Sequence, residues 1–302
     1  MKQYTLYGEG YSYLVPLLLT KNSSGFVHSR FANGFNIKME DSLIFIGTDK
    51  NGHLPFGIHL PKELTTFAVS SVNNGDLVQW NEQTKSIELP KLTISLDKAI
   101  PFNNQIIPSS QISEDCIEEY INLLINIENR TGLNLSIRDF IHQYYAERKQ
   151  TWDENSVEFY VQLLIEAALS NDELLLDRSF RYFLGRGNGL TPSGDDMIVG
   201  LLSFNAVSNF LPNRFSEKIS ELIEGESITT DVAREYLRYA LRIEFSSTIT
   251  DVVNAFATAD TKKLLEAFPN LLGLGHSSGL DTLFGILIGI FIYKRNTEKI
   301  GD

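Results

Sequence analysis

Pro101-Phe102-Asn103-Asn104-Gln105-Ile106-Ile107-Pro108-Ser109-Ser110 divides this chain. An asparagine pair, two prolines and a double serine make a structural break. Hydrophobic patterning changes across it, from period two upstream to helical spacing downstream.

Upstream, Phe26 to Phe31 precedes Asn33-Gly34, a strong tight-turn pair, and Phe35 to Met39 alternates after it. Leu43 to Ile46 is a compact apolar run. Leu77 to Trp80 and Ser86 to Leu89 flank a hairpin loop at 81–85, and Leu92 to Leu96 alternates. Helical periodicity is weak here, so residues 1–105 read as a β-rich domain, a small barrel or sandwich. Downstream, Ser113 caps a segment with Cys116, Ile117, Tyr120, Ile121 and Leu124 at helical spacing, and Ser136 caps one with Phe140, Ile141 and Tyr144. Further helices are predicted at 156–169, 173–184, 215–224, 230–242, 247–258 and 261–268. The expected fold is α+β, with an all-α domain over 111–302 following the β domain.

Composition narrows the function classes. The chain has 302 residues, 43% of them apolar, enough for a real core in one large or two ordinary domains. Its net charge is −12, with 38 acids against 26 bases and no basic run, which excludes nucleic acid and anionic membrane as partners. The single cysteine, Cys116, lies on an apolar helix face and reads as a buried structural thiol. The N-terminus from Met1 to Thr5 has no apolar signal core, and the longest apolar stretch, Leu283 to Tyr293, falls short of the ~20 residues that span a bilayer. A cytoplasmic location is expected.

Within the helical part, one pattern occurs twice. Ser193-Gly194-Asp195-Asp196-Met197-Ile198-Val199-Gly200 and Ser278-Gly279-Leu280-Asp281-Thr282-Leu283-Phe284-Gly285 both read S-G-x-D-x-x-x-G. Each follows a glycine-rich loop, Gly185 to Pro192 or Gly273 to Ser277, and each leads into an apolar helix. Free N–H groups and the dipole make a helix start an anion site. Gly187, Gly189, Gly194 and Gly279 let backbone approach a ligand. Asn188, Thr191, Ser193, Ser277, Ser278 and Thr230 supply polar groups, His276 a titratable one, and Arg186 a two-pronged clamp for a carboxylate or phosphate. Asp195, Asp196 and Asp281 would repel an anion they faced. They are either caps or ligands of a divalent cation such as Mg²⁺.

Either motif alone reads as structure, since Ser193 with Asp196 and Ser278 with Asp281 resemble capping boxes, and Gly200, Gly285 and Gly289 suit close helix packing. Two copies with so many additional donors favour a site. His28, His53, His59 and His142 show no ligand spacing and read as surface or hydrogen-bonded histidines. No G-x-S-x-G elbow is present.

Gly187 to Asp196 and Gly275 to Asp281, with Thr229-Thr230-Asp231-Val232 and the Phe26-to-Leu43 strands, resemble a bacterial family that includes the AllH-type third subunit of oxamate carbamoyltransferase, from anaerobic allantoin breakdown. The resemblance implies carbamoyl transfer between oxalurate with phosphate and oxamate with carbamoyl phosphate, and it implies partner subunits. His276, Asp196 and Asp281 are the candidate catalytic residues. Arg186, Gly187, Asn188, Gly189, Thr191, Ser193, Gly194, Asp195, Thr230, Ser277, Ser278 and Gly279 are the candidate binding residues for a small anionic substrate. A non-catalytic anion-binding or scaffold subunit, or a Mg²⁺-dependent hydrolase, are the alternatives.

Overall fold

The computed structural model describes residues 4–146, 152–170 and 172–301, the last three by backbone alone. Met1-Lys2-Gln3, the start of the stretch read for a signal segment, and Asp302 lie outside them. The strands are β1 (Tyr4–Tyr7), β2 (Gly10–Ser12), β3 (Ser24–Phe31), β4 (Gly34–Met39), β5 (Ser42–Gly47), β6 (Gly57–His59), β7 (Leu77–Asn81), β8 (Ser86–Glu88), β9 (Leu92–Ser95) and β10 (Ile100–Phe102). The helices are α1 (Val15–Lys21), α2 (Lys62–Ser71), α3 (Glu114–Ile125), α4 (Ile137–Tyr145), α5 (Val157–Ser170), α6 (Glu173–Phe183), α7 (Ser193–Ser208), α8 (Asn213–Gly225), α9 (Asp231–Ala240), α10 (Ser247–Thr258), α11 (Thr261–Leu272) and α12 (Ser278–Gly301). The fold is α+β, with a curled N-terminal sheet followed by a helical region.

The chain forms two compact units. The first comprises Met1–Gln105 with Phe245–Thr248. Its ten strands form one sheet in the order β1-β9-β8-β7-β3-β4-β5-β6-β2-β10. β1 lies at one end of that order and β2 next to the other, yet only Gly8 and Glu9 join them. The three steps from Tyr7 to Gly10 reach at most ~11 Å, so the sheet curls into a half-barrel. The bridging residues bond to both sides: the Gly8 amide donates to Ser95 O at 3.0 Å and the Glu9 amide to His59 O at 2.8 Å. A sandwich would need a second sheet, and the strands form one. Val27, Phe35, Ile37, Ile44, Ile46, Ile58, Ile87 and Ile94 pack together in the core of this unit.

Several details depart from the sequence reading. Phe31 pairs with Gly34, so Ala32-Asn33 makes the turn, one residue earlier than Asn33-Gly34. The break begins at Asn103, because Ile100–Phe102 pairs in parallel with Gly10–Ser12. Helices α1 and α2 were not expected. α1 is only seven residues long with Pro16 in its first turn, and α2 buries only Thr65 and Ala68, so neither carries a long apolar stripe. His59 is not on the surface. It is 3% exposed, and burial, with His53 beside it, lowers its pKa to about 4 against weak hydrogen bonding to the backbone of Thr48 and Gly47.

The second unit comprises Ile106–Glu244 and Ile249–Asp302. The Ser113 and Ser136 hydroxyls cap α3 and α4 by accepting from the Cys116 and Asp139 amides. Cys116 is fully buried, and burial pushes its thiol pKa up, which keeps it inert. α7 and α12 are apolar on all sides, with Met197–Leu202 and Leu283–Ile292 buried throughout, so they occupy the centre. Among the described residues no helix is long and apolar enough to cross a membrane.

Candidate functional site

The two motif helices run side by side in the same direction and begin at the same place. Gly200 lies against the Thr282 carbonyl and Gly285 against the Met197 carbonyl, so close that a methyl group at either position would collide with backbone. Position eight of each motif thus packs on position five of the other. The position-two glycines repeat the relation. Gly194 packs on the Phe183 carbonyl ending α6, and Gly279 on the Leu271 carbonyl near the end of α11. The sequence repeat is therefore a local two-fold in space.

The helix starts are partly engaged already, the Gly194 and Gly279 amides by loop carbonyls and the acids' amides by their helices' own first turns. The Gly194 amide already donates to Arg186 O at 2.9 Å, and the Asp195 and Asp196 amides to Pro192 O at 3.0 and 3.1 Å. On α12 the Gly279 amide donates to Leu274 O at 3.1 Å and the Asp281 amide to Ser277 O at 2.8 Å. Nor is Ser193 a cap. Pro192 takes the N-cap position with no side-chain bond, and Ser193 is the first helical residue. The expected capping box on α7 is absent because the serine side chain is turned toward the other motif.

A third segment, missed in the sequence, closes the arrangement. The α3–α4 connection brings Gly132 against Ser193 Oγ, Ser277 Oγ and Asp281 Oδ2, and its amide donates to Asp281 Oδ1 at 2.8 Å. A cleft of about 780 Å³ opens where the three segments meet. It is lined by Asn129–Gly132, Asn188–Thr191, Ser193, Leu272, His276–Ser278 and Leu280. Of the sequence candidates, Asn188, Gly189, Thr191, Ser193, His276, Ser277 and Ser278 face this cleft.

Asp196 and Asp281 lie behind the lining. Asp196 stands beside the hydroxyls of Ser278 and Thr191, and Asp281 beside those of Ser193 and Ser277, so each position-four acid meets the other motif's first serine. Asp195 points away from the cleft. Its Oδ2 accepts from the Gly185 amide and from Thr229 Oγ1, both at 3.0 Å, which ties together the segments before α7 and α9. Each acid keeps one buried oxygen without a partner: Asp195 Oδ1, Asp196 Oδ2 and Asp281 Oδ2. Burial therefore dominates their acidity. It raises Asp195 to about 7, against the bonds from Gly185 and Thr229. It raises Asp196 well above the carboxylate range, helped by Asp281 and Asp195, and raises Asp281 as well. Burial thus works against negative charge on all three acids, which eases the conflict with an anion seen in the sequence. Among the described residues no three side chains of the His, Cys, Asp or Glu types come together as ligands.

The remaining candidates sit outside the lining. Arg186 lies flat on Tyr182, 3.8 Å from the ring centre, and its Nε donates to Tyr182 O. Arg186 follows the end of α6, where Gly185 at φ +75° turns the chain, and its side chain lies back over the helix's last turn. Gly187, at φ +121°, packs under the loop against Ser193, where a side chain would be strained. Thr230 caps α9 and donates to Leu190 O, so it supports the loop and does not face the cleft.

Residues 183–290 match the family model described as oxamate carbamoyltransferase subunit AllH, and residues 7–102 match the AllH family N-terminal domain. No solved structure matches the chain. The two family matches together cover most of the sequence and both central helix starts, and the chain belongs to the AllH family.

Proposed function

We propose that this protein is a cytoplasmic subunit of an oxamate carbamoyltransferase-like enzyme and that its cleft binds the small anionic substrates of carbamoyl transfer. The convergence of both motif loops and the Gly132 loop on one hydroxyl-lined cleft is the observation that carries this reading. In the reaction, a phosphate oxygen attacks the ureido carbon of oxalurate. The C–N bond to oxamate breaks, the leaving nitrogen takes a proton, and carbamoyl phosphate forms. Thr191, Ser193, Ser277 and Ser278 are suited to donate hydrogen bonds to the charge that develops on the carbonyl oxygen. Asp281, raised by burial and lying behind Ser193 and Ser277, with His276 at the rim, are the groups able to carry the proton. The chemistry is positioning and electrostatics, with no covalent nucleophile required.

The test is oxalurate phosphorolysis by the full chain, alone and with its partner subunits, together with calorimetric titration of phosphate and oxamate. Binding of either anion with turnover that Asp281→Asn or His276→Gln abolishes supports the reading. Binding with turnover unaffected by those variants makes the protein a non-catalytic anion-binding subunit.

A further inference from the structure

We infer that Arg130, on the connection between α3 and α4, grips the oxyanion end of the ligand, a carboxylate or a phosphate. This rests on the reading of the cleft as a small-anion site and adds to it the cationic group that the sequence assigned to Arg186.

Three observations lead there. First, the helix-start amides of Gly194 and Gly279 already donate to the loop carbonyls of Arg186 and Leu274, so the two helix starts offer an incoming anion fewer donors than the repeat implied. Second, Arg186 lies on Tyr182 and outside the lining, whereas Arg130 is the lining residue with a permanent positive charge. Third, Arg130 is held in place and not fully used. Its Nη1 donates to Asn134 O at 2.8 Å. No carboxylate among the described residues pairs with it, although Arg181, Arg214 and Arg238 in the same helical unit each pair with a glutamate.

The segment that carries Arg130 is rigid. The Thr131 amide donates to Leu135 O at 3.0 Å, the Asn134 amide to Thr131 O at 2.8 Å and the Leu135 amide to Thr131 Oγ1 at 3.0 Å. Gly132 then locks the turn onto Asp281 of α12. The turn is thereby set at one side of the cleft, and the guanidinium, tied through Nη1, has Nε and Nη2 left to form a fork for two oxygens. The hydroxyls of Thr191, Ser193, Ser277 and Ser278 meet the uncharged end of the ligand. This polarity orients a molecule such as oxamate, which is acid at one end and amide at the other. It equally serves a free phosphate ion.

The experiment is calorimetric titration of the full chain with inorganic phosphate and, separately, with oxamate, for wild type, Arg130→Gln, Arg130→Lys and Arg186→Ala. Losing a charge-assisted fork weakens binding by ~tenfold or more. Arg130→Gln is expected to show that loss, and Arg130→Lys to recover part of it. A loss confined to phosphate, or confined to oxamate, identifies which oxyanion Arg130 holds, and either result supports the assignment. Wild-type affinity in Arg130→Gln overturns it while leaving the cleft's function intact, as does a loss seen only in Arg186→Ala. A wild-type chain that binds neither anion, alone or with its partner subunits, overturns the reading of the cleft and Arg130's role with it.

Discussion

Replacing Asp195 with asparagine should flatten the pH dependence of stability. Asp195 is 1% exposed, with one oxygen bonded to Gly185 and Thr229 and the other without a partner. Burial dominates, and it moves the pKa from the ordinary 3.8 to about 7. The folded state therefore prefers the protonated acid. That preference contributes fully to stability below the unfolded pKa and is lost as pH rises through the folded one. Inside the window the loss is ~1.4 kcal/mol per pH unit, or about 2 kcal/mol between pH 5 and pH 7. For a protein of this size that is ~4–8 °C in melting temperature. Asp196 and Asp281 shift the same way and steepen the whole curve, so the quantity to read is wild type minus variant. The substituted amide has no charge to lose and keeps an oxygen for Gly185 and Thr229. Its NH₂ group finds no acceptor, a cost of about 1 kcal/mol that does not vary with pH. Thermal unfolding followed by circular dichroism at pH 5, 6, 7 and 8 should show Asp195→Asn less stable in acid and gaining steadily on wild type as pH rises. Parallel curves would refute the argument, because they would mean that Asp195 is ionised throughout and that a charge partner offsets its burial.

The remaining predictions follow from contacts at the helix starts. Gly200→Ala and Gly285→Ala each drive a methyl group into a facing backbone carbonyl, so each should cost roughly 1–3 kcal/mol in urea unfolding; an unchanged midpoint in both would contradict the two-fold packing. Gly132→Ala pushes a methyl group among Ser193 Oγ, Ser277 Oγ and Asp281 Oδ2 at the cleft wall, and oxamate or phosphate titration should show binding lost with a smaller change in melting, since Gly132 itself is exposed. Tyr120→Phe removes the hydroxyl that donates to Leu283 O at 2.6 Å in the core. It should destabilise by about 1–2 kcal/mol, and equal denaturation midpoints would show that the bond contributes nothing.

Much of the secondary structure was legible in the residues alone. The alternation in Phe35–Met39, Leu77–Trp80 and Leu92–Leu96 marks β4, β7 and β9, and the caps at Ser113 and Ser136 mark α3 and α4, because those signals lie within the segment that folds. The S-G-x-D repeat was equally plain. The strands of three or four residues were not. β1 has meaning only through its pairing with β9, which lies almost ninety residues further on, and four residues cannot show a period. The site divided along the same line. Sequence located the cleft's polar residues in the two glycine loops, since two matching helix starts stand out locally. It did not show that the Gly194 and Gly279 amides would be taken by loop carbonyls, that Arg186 would turn back onto Tyr182, or that Asp281 would find its partner in Gly132, 149 residues away. Periodicity and capping are set by near neighbours along the backbone. Which donors and charges remain for a ligand is settled only when distant segments have packed and satisfied one another, and that was decided by the tertiary structure.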